Sequence, residues 1–194
     1  MESIDAFASL SNLSACAKYE LKIREVCSNE IASEYSEIIT FDTPCYRAKV
    51  KICLEGAYDG EIMSNNLGST MPLEQPYNRP PYSYFGTEML NNPKSNIVDW
   101  VLLEVRNLAG ETVGRAVGLL HNDGFVYDVD GNEGVRIPNL GVAADYHILV
   151  RHRNHLDVMS QATMLPNAMP YDFTIAESQA FGHCLLYTSP SPRD

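Results

Sequence analysis

The chain has 194 residues, of which 45% are hydrophobic, and its formal net charge at pH 7 is -11. This size allows one domain or two small ones with a buried core. The acidic residues are spread along the chain without any run of Lys or Arg, which argues against nucleic acids and anionic membrane surfaces as partners. No stretch reaches the roughly 20 apolar residues of a membrane helix, so we expect no membrane insertion.

The N-terminal segment shows the alternation of a half-buried strand. Tyr19, Leu21 and Ile23 fall on one side of an extended chain, and charged residues alternate with them. The surrounding segment, LSNLSACAKYELKIREVCSNEIASEYSEIITFDTPC, resembles the closing part of a fibronectin type III domain. Leu13 and Tyr19 are spaced like the tyrosine corner of that family.

The resemblance implies that residues 1–45 hold only the last strands of such a domain, with strand F at residues 19–26 and strand G at residues 38–41. A sandwich that lacks its other strands leaves an apolar face and a strand edge uncovered. We therefore expect exposed apolar side chains in this segment, and we expect Met1 to be an internal methionine of a longer protein.

Four cysteines precede the C-terminal tail. In the hairpin that the resemblance implies, Cys16 and Cys45 both lie at the open end, and secreted repeats of this kind often carry cysteines at comparable places. We therefore expect a disulfide between them. Cys27 lies at the closed end, too far from Cys45, so we expect it to pair upstream, and we expect Cys53 to be a buried free thiol. The alternative is four reduced, buried cysteines in a cytosolic protein.

A second domain is predicted at residues 46–182, and it begins with a strand. Val50, Ile52 and Leu54 alternate with other residues over positions 47–56, which is the pattern of a half-buried strand. We expect the apolar side of this strand to face the core of the domain.

Residues 66–96 form a long segment without a sustained period, and they contain five prolines. Two interpretations of its aromatic side chains are open. The rings can form a platform that binds sugars, or the segment can pack over an edge of the sandwich with its rings buried. We favour burial, because aromatic side chains usually serve packing. The candidate sugar-binding residues are Tyr77, Tyr82, Tyr84 and Trp100.

The stretch from residue 97 to residue 160 reads as strands separated by turns. Its first strand is apolar on both sides as far as Val105, which predicts a strand covered on both faces. The connections around Gly110 and Gly124 have hairpin length, and Tyr146, Ile148 and Val150 alternate with His147 and Arg151. We predict a β-meander within an antiparallel, immunoglobulin-like β-sandwich, so that the whole chain is all-β.

The densest group of reactive side chains is RHRNH at residues 151–155. His152 and His155 are three apart in a strand and its exit, so we expect them to point to different faces and not to share a metal. A hydrolase site here would use one of them with Asp99, but a general base needs an orienting partner that the sequence does not name. We favour a structural hydrogen-bond network, in which Asp99 or Glu104 opposes an arginine. Its predicted members are Asp99, Arg151, His152, Arg153 and His155.

Asp128, Asp130 and Asn132 alternate like the oxygen ligands of an EF-hand loop. Glu133 and Asn139 stand where that loop requires Gly and Glu, so we expect a surface turn. The sequence contains no Gly-rich phosphate loop, GxSxG elbow or HExxH helix. We therefore predict no metal, no cofactor and no catalytic residues.

Six strings run in order through residues 46–182: LEGAYDGEIM, PLEQPYN, GTE, VDWVLLEVRN, DGFVYDVDG and VRHRNHLDVMS. They resemble a module found near the C-termini of large surface proteins from bacteria that use type IX secretion. The resemblance implies an extracellular multidomain protein, in which such modules often precede a calcium-binding, dockerin-like repeat. It implies no catalytic residue.

The last eleven residues, CLLYTSPSPRD, resemble the translation of a transposase sequencing adapter. We expect residues 183–194 to be an artefactual, disordered tail of a metagenomic fragment. The alternative is a genuine tail rich in Ser and Pro.

The predicted function follows from these resemblances. We predict a non-enzymatic structural or adhesion module of a secreted or cell-surface bacterial protein, whose signal peptide lies upstream of this sequence. Its partners would be neighbouring domains of the same chain and an extracellular glycan or protein. The alternatives are a carbohydrate-binding module that uses the tyrosines of residues 77–85, and a hydrolase that uses His152 or His155.

Overall fold

The computed structural model describes residues 9–11, 13, 16–26, 32–65, 71–91, 95–138 and 140–183. Regular structure in these residues consists of β-strands and two short 3-10 turns. The predicted all-β class with antiparallel sheets is confirmed, and the arrangement is consistent with a β-sandwich. No helix in the described part of the chain is long and apolar enough to span a membrane. Cys27 and residues 184–194 lie outside the described residues, so the predictions for them stay predictions.

The strands are short except for three that form the centre of the molecule. They are β1 (Lys18–Leu21), β2 (Ile39–Asp42), β3 (Arg47–Ala48), β4 (Val50–Lys51), β5 (Ile97–Arg106), β6 (Thr112–His121), β7 (Val126–Tyr127), β8 (Val135–Arg136), β9 (Ala144–His152), β10 (His155–Met159), β11 (Thr163–Leu165) and β12 (Tyr171–Asp172). The 3-10 turns are Glu177–Gln179 and Phe181–His183.

The largest sheet has the strand order β10-β9-β5-β6-β7, and β11 also pairs with β9. All of its pairs are antiparallel. Three two-stranded sheets accompany it: β1 with β2, β3 with β8, and β4 with β12, the last pair being parallel. The sheets formed by β3, β4, β8 and β12 supply side chains to the core on one face of the large sheet.

Strand β5 is buried along nearly its whole length, as its sequence predicts. Val101 and Leu103 pack on one face, in a core shared with Val50 of β4. Trp100 and Leu102 pack on the opposite face in a second core. A strand that is covered on both faces needs apolar side chains at consecutive positions, which explains the run Trp100-Val101-Leu102-Leu103.

The two predicted hairpins are present, but the meander ends after them. Gly110 and Gly124 adopt φ angles of 86° and 88° in the β5–β6 and β6–β7 turns, a region that favours glycine. After β7 the chain leaves the sheet through β8, and β9 then pairs with the free edge of β5. The meander prediction is therefore wrong for β9. Its apolar side chains gain most burial beside β5, the most apolar strand of the sheet.

The proline- and tyrosine-rich segment covers a face of the large sheet, whereas an edge was predicted. Tyr77 and Leu90 belong to the second core with Trp100. The Tyr77 hydroxyl donates to the Trp100 carbonyl at 2.8 Å, and the Trp100 indole N–H donates to the Pro72 carbonyl at 2.8 Å. The segment therefore replaces a second sheet on this side.

The predicted strand over residues 47–56 is present only as β3 and β4, and it ends at Lys51. Val50, Ile52 and Leu54 are buried as predicted, but regular pairing breaks between β3 and β4. At the break, the side-chain amide of Asn167 takes the place of a neighbouring strand. It donates to the Lys49 carbonyl at 2.7 Å and accepts from the Lys49 amide at 2.9 Å.

The N-terminal hairpin consists of β1 and β2, and the predicted Cys16–Cys45 disulfide closes its open end. Strand β1 ends at Leu21, whereas the predicted F strand extends to residue 26. Beyond β1, the Ser36 amide still donates to the Ile23 carbonyl at 2.7 Å. Apolar side chains of the hairpin are exposed, as expected: Ile23 by 57% and Ile39 by 53%.

Gly118 of β6 allows close approach of the strands that cover it. A Cβ atom at this position would lie 2.5 Å from the Val135 side chain and 2.9 Å from the Tyr127 carbonyl oxygen. Gly141 is the matched comparison, because its Cβ would meet nothing within 4 Å.

We expect Gly118→Ala to lower the free energy of unfolding by about 1–3 kcal/mol, because the buried layers must move apart. Gly141→Ala should change it by less than about 1 kcal/mol, and in the stabilising direction. Urea unfolding followed by tryptophan fluorescence measures both. Equal effects of the two substitutions would contradict the close packing at β6.

Candidate functional site

The predicted polar cluster lies where β5, β9 and β10 meet. Asp99 follows a β-bulge at the start of β5. His152 ends β9 and His155 begins β10, and the two are paired across the hairpin. Arg153 lies in the two-residue connection between them, so a tight turn brings the basic side chains to the buried carboxylate.

The two histidines lie side by side, which corrects the expectation that they point to different faces. Their Nδ1 atoms are 2.8 Å apart, and their ring centroids are 4.7 Å apart. The expectation assumed an extended chain between His152 and His155. The chain instead reverses there, and cross-strand partners of a hairpin share a face.

Asp99 is 1% exposed, and both of its carboxylate oxygens have polar partners. Its Oδ2 lies 3.2 Å from His152 Nε2, and its Oδ1 accepts the Trp100 amide at 2.8 Å. One Arg153 nitrogen donates to both oxygens at 3.1 and 2.9 Å. Burial opposes ionisation of Asp99, but these hydrogen bonds and the Arg153 charge outweigh it, so its pKa lies below the usual value.

A cavity of about 310 Å³ adjoins the histidine pair. Asp99, His152, His155 and Glu55 line it together with apolar side chains of the chain after β4. His155 Nε2 lies 3.0 Å from the Glu55 carbonyl oxygen, and the Asn154 amide donates to His152 Nδ1 at 3.2 Å. Each of the four ring nitrogens therefore has a polar protein atom as neighbour.

A second buried carboxylate, Glu104, lies on the opposite face of β5. It is 1% exposed, and it pairs with Arg106 at 2.7 Å and Arg115 at 3.0 Å. Thr112 donates to it at 2.8 Å. Burial raises the pKa of Glu104, but the hydrogen bonds from Thr112 and Arg106 and the arginine charges lower it further, so the net shift is downward.

Arg151 belongs to the Glu104 side of the sheet. It donates to Asp157 at 2.8 Å and lies 3.8 Å from Glu104. The residues predicted as one network therefore divide into two clusters, one on each face of β5. One partner of Glu104 could be predicted from the sequence. Arg106 is two residues away on the same strand, so its side chain shares a face with Glu104.

The predicted aromatic platform is largely buried. Tyr77 and Trp100 are 0% exposed, so neither has a ring face available to a sugar. Tyr82 packs edge-on against Tyr77 at 5.0 Å between ring centroids, and the Arg151 guanidinium lies over its ring. Tyr84 donates to Glu88 at 2.5 Å. Burial is the main reason that the pKa values of Tyr77 and Tyr84 are raised.

The acidic loop after β7 forms ion pairs. Asp128 and Asp130 pair with Arg47 at 3.0 and 2.8 Å, and Arg136 reaches Asp130 at 3.2 Å. Within the described ranges, no group of three or more His, Cys, Asp or Glu side chains could hold a metal ion. Nothing in the sequence pattern indicated the role of Arg47, because 81 residues separate it from Asp128.

A groove of about 420 Å³ borders this loop. Asn91, Asn96 and Asp123 contribute polar groups to it, and Tyr127 stacks on His121 in its wall with 4.1 Å between ring centroids. Sequence reasoning missed this groove, since its wall comes from four separate segments of the chain.

Cys53 is a free thiol as predicted, although it is half-buried where full burial was expected. Burial raises its pKa, which makes it less reactive than an exposed thiol.

No protein-family model, curated protein or solved structure matches the chain. The resemblances to a fibronectin type III domain and to a type IX-secreted module therefore stay predictions.

We expect Glu104→Gln to lower the free energy of unfolding at pH 7 by about 2–3 kcal/mol. Fully buried pairs cost about 3–5 kcal/mol when broken, and the arginines here are one-third exposed. Because the pKa of Glu104 is lowered by folding, its contribution is present above the unfolded pKa of about 4.3 and is lost as pH falls through the folded pKa.

Denaturant unfolding at pH 7 and at pH 3 measures this contribution. The difference between wild type and Glu104→Gln should shrink at pH 3. Glu177→Gln, at an exposed carboxylate, is the control and should change little at either pH. A difference that is equal at both pH values would show that the charge of Glu104 is not what stabilises the fold.

Proposed function

We propose that the chain is a non-enzymatic structural and adhesion module of a secreted or cell-surface, multidomain bacterial protein. The observation that carries this proposal is the disulfide between Cys16 and Cys45. Disulfides persist in oxidising compartments and are rare in the cytosol. This one joins Cys16, before β1, to Cys45, just before β3, so it closes the N-terminal hairpin at the point where the chain continues into β3.

The exposed apolar side chains of the hairpin support neighbouring domains of the same protein as partners. Ile23, Val26, Ile38 and Ile39 are each at least half exposed. Exposed apolar residues are common when scattered singly, but these lie together on one small hairpin. A neighbouring domain that packed on it would remove this surface from water.

The geometry of the histidine cluster argues against the hydrolase alternative. The cavity does hold both histidines and the carboxylate of Asp99, as that hypothesis requires. However, His155 Nε2 already contacts the Glu55 carbonyl, and both Nδ1 atoms contact each other. A general base needs a lone pair within reach of the substrate proton, and this arrangement leaves none.

A second candidate function is glycan binding in the groove beside β7. Protein sites for sugars combine an aromatic wall with a few polar groups in a concave surface. The groove provides the Tyr127–His121 stack together with Asn91, Asn96 and Asp123. The buried Tyr77 and Trp100 do not contribute to this candidate site.

Binding to an array of neutral glycans tests this candidate. We expect at least one glycan to bind wild type, and we expect Asp123→Ala to weaken that binding at least tenfold. Tyr77→Phe should leave it unchanged, because Tyr77 lies in the core. Failure of wild type to bind any glycan on the array would reject glycan binding.

The disulfide can be tested by hydrogen exchange on protein exported to an oxidising compartment. The Cys16 and Thr43 amides donate to the carbonyls of Pro44 and Ala17 beside the crosslink. In a Cys16→Ser/Cys45→Ser variant we expect these amides to exchange at least tenfold faster, because a disulfide of this loop length contributes about 2–4 kcal/mol.

The amide of Leu103, in the centre of β5, is the internal control and should keep its protection. Detection of the Cys16–Cys45 crosslink in a non-reducing digest would support the proposal. If export leaves both cysteines reduced, the extracellular assignment loses its main support.

A further inference from the structure

Three arginines surround the buried carboxylate of Glu104 on one face of the large sheet, and we refer to Arg106, Arg115 and Arg151 as the arginine cluster. Arg115 of β6 is the cross-strand partner of Glu104, and Arg106 follows Glu104 by two residues on β5, so both share its face. Arg151 of β9 approaches the same carboxylate at 3.8 Å. Three neighbouring strands therefore bring three guanidinium groups to one place.

The arginine cluster carries more positive charge than the acids that contact it. Arg106 and Arg115 both pair with Glu104, so one of their two charges is not offset. Asp157 offsets the charge of Arg151. One positive charge therefore remains in a chain whose formal net charge is -11. A single excess charge suits a ligand group that carries a single negative charge.

Each arginine of the cluster has a terminal nitrogen without a hydrogen-bond partner among the described residues. Arg106 directs Nε and Nη2 at Glu104. Arg115 donates from Nε to Glu104 and from Nη1 to the Tyr82 carbonyl, and Arg151 donates from Nε alone. The arginine side chains are 33%, 33% and 18% exposed, in chain order, so the cluster is open to solvent.

An exposed aromatic ring borders the cluster. Phe181 packs edge-on against His147 with 5.1 Å between ring centroids, and His147 is the cross-strand partner of Arg106. Phe181 is 50% exposed, in contrast to the buried Tyr77 and Trp100. It therefore offers an apolar surface on the β9 side of Arg106.

We infer that the arginine cluster binds the carboxylate of a sugar acid, with Phe181 against the sugar ring. Arginine presents its N–H groups in a planar fork that matches a carboxylate, and hydrogen bonds between charged groups are strong. Ligand sites combine such polar groups with aromatic side chains that contact the apolar part of the ligand. The site is separate from the groove beside β7, so the inference does not depend on glycan binding there.

Titration of wild type with cellobiouronic acid, followed by NMR of the arginine Nε–Hε groups, tests the inference. This disaccharide carries one carboxylate, and cellobiose is its neutral counterpart. We expect cellobiouronic acid to shift the resonances of the arginine cluster but not that of Arg136, and we expect cellobiose to shift none. No shift with the acid, or equal shifts with both sugars, would overturn the inference. The measurement does not depend on the folding of a variant.

Acetyl-glutamate amide distinguishes a sugar acid from an acidic polypeptide as the source of the carboxylate. It carries the same single charge but has no sugar ring to contact Phe181. We expect its Kd to be about fivefold higher than that of cellobiouronic acid, and we expect Phe181→Ala to remove the difference. Equal affinities in wild type would show that the site takes polypeptide carboxylates and that the sugar-acid assignment is wrong.

Arg151→Gln should weaken binding of cellobiouronic acid by about tenfold or more, because it removes the excess positive charge and a charged donor. The two closest partners of Glu104 stay in place in this variant. Arg136→Gln is the matched control: it changes the net charge by the same amount in the layer beneath the opposite face, and binding should persist. Equal weakening by both substitutions would show that the arginine cluster is not the binding site.

Discussion

Burial of β5 on both faces is the constraint on which the other elements depend. A strand with apolar side chains on two sides cannot be satisfied by one partner layer. The short strands β3, β4, β8 and β12 cover one side, and the tyrosine-rich segment covers the other. That segment lacks regular structure, yet it packs like a layer because its rings and backbone are tied to β5 through Tyr77 and Trp100.

The same strand carries two buried acids, and they determine which strands can lie beside it. Asp99 and Glu104 are five residues apart, so they face opposite sides of the sheet. Asp99 takes its partners from the β9–β10 turn, and Glu104 takes Arg106 from β5 and Arg115 from β6. A shift of β9 by one residue would reverse its faces and remove His152 from Asp99. Buried charge therefore helps to fix the register, together with apolar packing.

The sequence predicted those features that depend on local pattern. The apolar residues on both sides of β5 and the Gly turns of two hairpins are present. The Cys16–Cys45 disulfide, which spans 29 residues, was predicted from the hairpin that the resemblance implied, and it is also present. Partner choice between distant segments could not be predicted: β9 lies beside β5, and Arg47 pairs with an aspartate 81 residues away. The histidine pair was missed for a more local reason. Side-chain direction was read from an extended strand, but the chain turns back between His152 and His155.

The position of the disulfide has a mechanical consequence. Tension that reaches Cys16 from preceding residues passes through the sulfur–sulfur bond to Cys45, and the β1–β2 hydrogen bonds carry none of it. The separation of 29 residues between the cysteines corresponds to roughly 100 Å of extended chain, and the crosslink keeps this length from being pulled out. The hairpin can therefore fray without lengthening the tether, and load is transferred directly to the strands that follow Cys45.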